Sequence, residues 1–149
     1  MQLYNWFKSE LFALSAGNGF KFAVRLIEEV PFHRVPDYLA AADLVAIPQR
    51  ASTDTAGQVP AKLFDAMAMA RPIICTRVSM IPEILEGAGL LVEPGRVDEL
   101  AEAMAYILDH PAEAQDLGRK ARARAVQHYS FEAVRPSLFE LVDRVSARS

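Results

Sequence analysis

Short apolar runs alternate along this chain with longer segments whose apolar residues recur every three or four positions, and that alternation restricts the fold more than any other feature. Leu44-Val45-Ala46-Ile47, Ile73-Ile74-Cys75-Thr76 and Leu90-Leu91-Val92 are almost wholly apolar, so both faces of each run need cover. Strands of this kind separated by helices describe an α/β fold, a parallel sheet with helices on both faces. The pattern predicts strands over 20–27, 43–48, 73–76 and 90–92. Ligands in such sheets bind beyond the carboxyl ends of strands, so the polar stretch 49–58, with its Ser52-Thr53-Asp54-Thr55 run, is where a site is to be sought.

The helical segments carry their own punctuation. Leu3, Phe7, Leu11 and Leu14 precede Gly17-Asn18-Gly19, which predicts an amphipathic helix over 2–16; the N-terminal segment 1–19 is thereby set apart from a domain over 20–149. Val35-Pro36-Asp37 opens a short helix with proline near its first position. Further helices are expected over 60–70, around Pro82-Glu83-Ile84-Leu85, along Leu100, Ala103, Met104, Ile107 and Leu108, along Leu117, Ala121 and Ala125, and from an N-cap at Ser130 to about Val145.

Composition narrows the partners. A chain of 149 residues, 52% hydrophobic, is long enough for one core and short for two full domains. A net charge of -3 gives no electrostatic reason to expect nucleic acid or an anionic membrane as a general partner. Cys75 is the lone cysteine and sits in an apolar run, so it reads as a buried strand residue in a reducing compartment. With no membrane span and no signal-peptide pattern, the expected location is cytoplasmic.

The predicted helix after the 49–58 loop is apolar in most directions, through Leu63, Phe64, Ala66, Met67, Ala68 and Met69. Gln58, Lys62 and Asp65 fall at i, i+4 and i+7, one face of the helix if it begins at or before Gln58. Two readings stand: a Lys62–Asp65 ion pair on the face that meets solvent, or a ligand site at a helix start, where free N–H groups and the helix dipole favour phosphate. Gly57 would allow close approach of the backbone to such a ligand. Elsewhere, His33, Arg34 and Glu83 read as loop or first-turn residues, and Arg119, Lys120, Arg122 and Arg124 as a solvated helix face. His110, His128 and Cys75 lack metal-ligand spacing, and no phosphate-loop or dinucleotide fingerprint occurs.

The stretch from Val59-Pro60-Ala61-Lys62-Leu63-Phe64-Asp65-Ala66-Met67 through Arg71-Pro72-Ile73-Ile74-Cys75-Thr76, continued by Ile81-Pro82-Glu83-Ile84-Leu85 and Gly89-Leu90-Leu91-Val92, resembles the C-terminal domain of the family 4 (group 1) glycosyltransferases. Val30-Pro31-Phe32-His33-Arg34-Val35-Pro36-Asp37 looks like the same family's approach to that motif, and the resemblance covers about 22–146. It implies a GT-B arrangement of two facing Rossmann-like domains, the C-terminal one holding a nucleotide-diphospho-sugar and the other the acceptor. The reaction implied is hexosyl transfer with retention, usually without a bound metal; the nucleotide-sugar is substrate, and no cofactor is implied.

The family's hallmark is two acids eight positions apart, flanking a glycine-containing loop at a helix start. Asp65 matches the second, which accepts hydrogen bonds from ribose hydroxyls, and the matching position for the first is Gly57, with Asp54 the nearest upstream carboxylate. Pro60-Ala61-Lys62 resembles a subgroup with proline-x-lysine before the second acid. The donor-binding set implied is therefore Asp65, Lys62, Gln58, Gly57, Ala56 and Asp54, with the amides of Ala56, Gly57 and Gln58 as the phosphate cradle. The family's first two strand-helix units and its acceptor domain have no counterpart in the sequence, so the sheet is expected to be incomplete, with strand edges covered by the N-terminal helix, a second copy or a separate chain. Two functions remain in view: a donor-binding domain working with an acceptor half, or a non-catalytic remnant serving as an interaction or assembly module.

Overall fold

The computed structural model describes residues 27 and 29–147. The expected helix over 2–16, the segment 1–19 and all but the last residue of the expected strand over 20–27 lie outside the described residues. The chain divides into two compact units, Met1–Val35 and Pro36–Ser149. In the first, Phe32–Arg34 form a 3-10 turn in which Arg34 N–H donates to Pro31 O at 2.8 Å.

The second unit holds the sheet. Its elements are α1 (Val35–Ala41, beginning at the unit boundary), β1 (Val45–Ile47), α2 (Ala61–Ala68), β2 (Ile73–Thr76), α3 (Ile81–Leu85), β3 (Leu90–Val92), α4 (Val97–Asp109), α5 (Pro111–Arg124), a π-helical turn (Ala125–Tyr129) and α6 (Phe131–Ser146). The strands are parallel in the order β1-β2-β3, with Ile47 opposite Cys75 and Cys75 opposite Leu91. β2 is central and wholly buried, as its unbroken apolar run requires.

Alternation along β2 divides the core in two. Ile73 and Cys75 face a layer made by Leu63, Ala66 and Met67 of α2, Ile81, Ile84 and Leu85 of α3, and Ala121 and Ala125. Ile74 points to the opposite face, where Val92 packs with Ile107 and Ala114. Helices therefore cover both faces, and the architecture is a small Rossmann-like parallel sheet. Among the described residues, β1 and β3 each pair on one side only, and Ala46 of β1 is exposed.

Small residues set the closest approach between layers. A Cβ on Gly118 of α5 would lie 2.2 Å from the carbonyl oxygen of Ala70, so α5 crosses the end of α2 where only glycine fits. Ala70 itself has φ 53°, a left-handed conformation that ends α2 and turns the chain into β2. The helix is accordingly shorter than the expected 60–70: Pro60 is its extended N-cap and Met69 its C-cap.

Two features of α5 depart from a plain helix with one solvated face. It ends at Arg124 and is continued without a break by the π-helical turn from Ala125; the expected stripe carries on across the junction, with Ala121 and Ala125 buried in one core layer. That turn brings Tyr129 against Phe64 of α2, ring centroids 5.2 Å apart. The basic cluster is also not one solvated face. Arg119 and Lys120 pair with Asp116 at the surface, whereas Arg122 donates to Ala68 O, and Arg124 donates to Ile84 O and Glu83 O, each at 3.0 Å, and pairs with Glu86. The two arginines thus meet the carboxyl ends of α2 and α3, where carbonyls lack helical partners. Ser130 caps α6 as expected, its hydroxyl oxygen accepting from Ala133 N–H at 3.1 Å. Among the described residues no helix is long and apolar enough to cross a membrane.

Candidate functional site at the carboxyl end of the sheet

β1 ends at Ile47, and the chain then runs through Pro48 to Pro60 before entering α2. Most of this loop is exposed, yet it is not shapeless. Thr55 Oγ1 donates to Arg50 O at 2.6 Å and accepts from Ser52 N–H at 3.0 Å; Thr55 N–H donates to Ser52 O at 3.1 Å. These local bonds, typical of Ser and Thr in turns, hold residues 50–55 in a compact bend. A longer tie joins the loop to the core: the buried Thr76 hydroxyl donates to Gln49 O at 2.7 Å.

A cleft of about 160 Å³ opens here, lined by Ile47, Pro48, Gln49, Pro60 and Lys62. Larger hollows lie elsewhere. One of about 330 Å³ sits at the opposite end of the sheet, between Asp43, Arg71, Pro72 and α4–α5, where Arg71 already donates to the carbonyls of Met69, Ala40 and Ala42. The smaller cleft is the one at the strand carboxyl ends, and it borders the start of a two-turn helix.

That helix start is open to an anion. Pro60 has no side chain able to cap, and no acid occupies the first turn of α2, so the dipole's positive end is not neutralised from within. Lys62, exposed, lines the cleft from this turn. Its charge also reaches Cys75: burial pushes the Cys75 thiol up to about 12, and the nearby Lys62 acts in the opposite direction without cancelling it. Cys75 is thus an inert core residue.

The predicted site residues separate into two groups. Lys62 and Asp65 are both on α2, as expected, with Asp65 half-buried one turn beyond the helix start. They do not pair with each other, and the Asp65 carboxylate makes no hydrogen bond or ion pair with another described residue, so the ion-pair reading is corrected. Gln58 is not on the helix. The residue before a proline is driven to extended conformations, so the Val59-Pro60 step keeps α2 from reaching back to Gln58, and the three-residue stripe does not form.

The loop residues need a second correction. Gln58 N–H donates to Thr55 O at 3.1 Å and is already used within the loop. Ala56 and Gly57 remain exposed with their amides outside the described hydrogen bonds. A Cβ at Gly57 would meet nothing within 4 Å, so the free chain does not itself need glycine there. Asp54 is exposed in the same loop and does not line the cleft. Sequence reasoning did not single out Gln49, whose Oε1 is buried without a hydrogen-bond partner; its place immediately after a strand and a proline was the available signal. Among the described residues no cluster of His, Cys, Asp and Glu is arranged to hold a metal ion.

The chain has known relatives in sequence and in fold. The profile of the family described as glycosyl transferases group 1 matches residues 7–110. The MMP alpha-(1->4)-mannosyltransferase of Mycolicibacterium hassiacum is 34% identical over 113 residues, which are 74% of this chain and 26% of that protein. Sucrose-phosphate synthase from Thermosynechococcus elongatus superposes with a TM-score of 0.83 at 24% identity, over 95% of this chain and 35% of that one. Anabaena HepE, solved in complex with UDP-glucose, superposes with a TM-score of 0.77 at 22% identity, over 91% of this chain and 36% of its own. The chain thus spans between about a quarter and about a third of the length of these relatives, and at such identities the structural likeness concerns the fold. From the family match, the order of its strands and helices and its superposition on these enzymes, the chain belongs to the group 1 glycosyltransferases and has the Rossmann-like fold of a GT-B domain.

Proposed function

We propose that this chain binds the nucleotide-diphospho-sugar of a retaining hexosyl transfer and works with an acceptor-binding half. The observation that carries the reading is the start of α2: a helix without a side-chain cap or first-turn acid, opening beside a cleft at the carboxyl end of β1 that Lys62 lines, with Asp65 one turn on, its carboxylate without a partner among the described residues. An anionic diphosphate complements the helix dipole and the free N–H groups at that point. Lys62 adds charge on a flexible stem. Asp65 offers two acceptor oxygens to a pair of ribose hydroxyls. The exposed amides of Ala56 and Gly57 extend the cradle toward the sugar, with Asp54 in the same loop as an exposed carboxylate within the set; Gln58 joins only if its bond to Thr55 opens. HepE, whose fold this chain shares, is the relative solved with UDP-glucose, which supports the choice of ligand class.

A second reading, a folded module that does not transfer sugar, is favoured by Gly57 at the position where the family's first acid falls. Electrostatic stabilisation of the leaving diphosphate supplies much of the rate in such reactions, so donor binding alone does not make a catalyst. Calorimetric titration with UDP, GDP, ADP and their glucose and mannose conjugates separates the two. Saturable binding of one nucleotide is expected, weakened by roughly 1–3 kcal/mol in Asp65→Ala with the fold intact. Absence of binding by every one of these ligands would discard the donor reading in favour of the module.

A further inference from the structure

We propose that Gln49 is a donor-recognition residue whose side-chain amide hydrogen-bonds a hydroxyl of the bound nucleotide-sugar; the proposal rests on the donor-binding reading above. Gln49 Oε1 is, among the described residues, the buried side-chain oxygen that has no hydrogen-bond partner. Native chains retain few such atoms, because an acceptor taken from water without a replacement partner is costly. Where one persists, a ligand that completes it is a physical reason for it to be there.

Nothing in the fold asks for a polar side chain at this position. The local tethering of Gln49 is made by its backbone, N–H donating to Ile47 O at 3.0 Å and O accepting from the Thr76 hydroxyl at 2.7 Å. Ile47, Pro48 and Pro60 line the same cleft as Gln49, an apolar lining that a leucine or methionine would suit without stranding a polar atom. Gln49 lines the cleft at the carboxyl end of β1 together with those three residues and Lys62, beside the start of α2; Oε1 itself is closed to solvent, so a ligand meets it through a turn of this partly buried side chain. Lys62 shares the cleft but makes no hydrogen bond to Oε1. A side-chain amide carries both an acceptor oxygen and N–H donors, so it meets a hydroxyl in either sense. The hydroxyl is borne either by the transferred hexose or by the ribose.

The test is calorimetry on the full chain with UDP, GDP, UDP-glucose and GDP-mannose, comparing the parent with Gln49→Leu, together with thermal unfolding of both in the absence of ligand. The expected result is an unchanged or raised unfolding midpoint and an affinity lowered by about tenfold, the ratio typical of one lost hydrogen bond to a buried group. Loss confined to the nucleotide-sugar assigns the hexose hydroxyl; equal loss for the nucleoside diphosphate assigns the ribose. Parental affinity in Gln49→Leu overturns the role of Gln49 alone, whereas a parent that binds none of the four removes the donor reading and this proposal with it. If Gln49→Leu lowers the midpoint, Gln49→Met, which matches the length of glutamine, decides the case: parental affinity in that variant likewise overturns the proposal.

Discussion

β2 and the loop from Pro48 to Pro60 lie side by side at the carboxyl end of the sheet, and they satisfy their polar groups in different ways. β2 is buried along its whole length and bonded on both edges to parallel partners, so its backbone bonds are long-range and withdrawn from water. The loop bonds chiefly to itself, over separations of three to five residues and at the surface, through Thr55, Ser52 and Arg50. Hydrogen bonds of the second kind hold a shape but add little to global stability, since water replaces them readily. Rigid scaffold and adaptable loop are thus separated by one short step in the chain, the usual division in sheets that bind ligands at their strand ends.

Substitutions that probe the scaffold are expected to have the largest effects. Gly118→Ala places a methyl against the Ala70 carbonyl, a backbone atom that cannot swing away, and forces α5 off the end of α2. Stability should fall by about 2–3 kcal/mol in urea unfolding despite alanine's better helix propensity. A neutral result would mean that the two layers slide apart easily, and the scaffold would then be no stiffer than the loop. Arg124→Met removes the donor to Ile84 O and Glu83 O and the partner of Glu86, while keeping the stem that packs in the same place. Because Glu86 is largely exposed, its share is small, and the carbonyls at the end of α3 can turn to water. The expected loss is about 1 kcal/mol, read by the same method.

The sequence made the scaffold readable and the contacts between its layers much less so. β2 and β3 fall where the apolar runs predict, because a strand buried on both faces leaves no ambiguity of period. β1 is trimmed from 43–48 to Val45–Ile47, since Asp43 and Pro48 lie beyond the register with β2. The place of Gln58 outside α2 is legible in the sequence: Pro60 disfavours the helical conformation just before it, and helical spacing alone does not override that preference. Arg122 and Arg124 could not be told from their neighbours, because a helix-end carbonyl contributed by a segment some 40 to 54 residues away leaves no mark on local charge pattern. The π-helical turn at Ala125–Tyr129 and the stranded oxygen of Gln49 are likewise products of packing. Of the candidate site, Lys62 and Asp65 stand out in the sequence as polar residues of an otherwise apolar helix, whereas the cleft that Lys62 lines leaves no mark there.

Thr76→Val tests the joint between the two regions and should have the smallest effect on stability. The hydroxyl is buried and its bond to Gln49 O is the tie between β2 and the loop. Valine keeps the branched shape but not the donor, so the Gln49 carbonyl must find water in the cleft, at a cost of about 0.5 kcal/mol measured by thermal unfolding, the low end for one lost hydrogen bond. The more informative reading is ligand affinity. If the loop is positioned from the scaffold through this bond, Thr76→Val weakens nucleotide-sugar binding by several-fold, an indirect effect smaller than the loss of a ligand contact. If affinity is untouched while stability falls, the loop's own Thr55 network is enough to shape the site, and scaffold and loop are energetically independent neighbours.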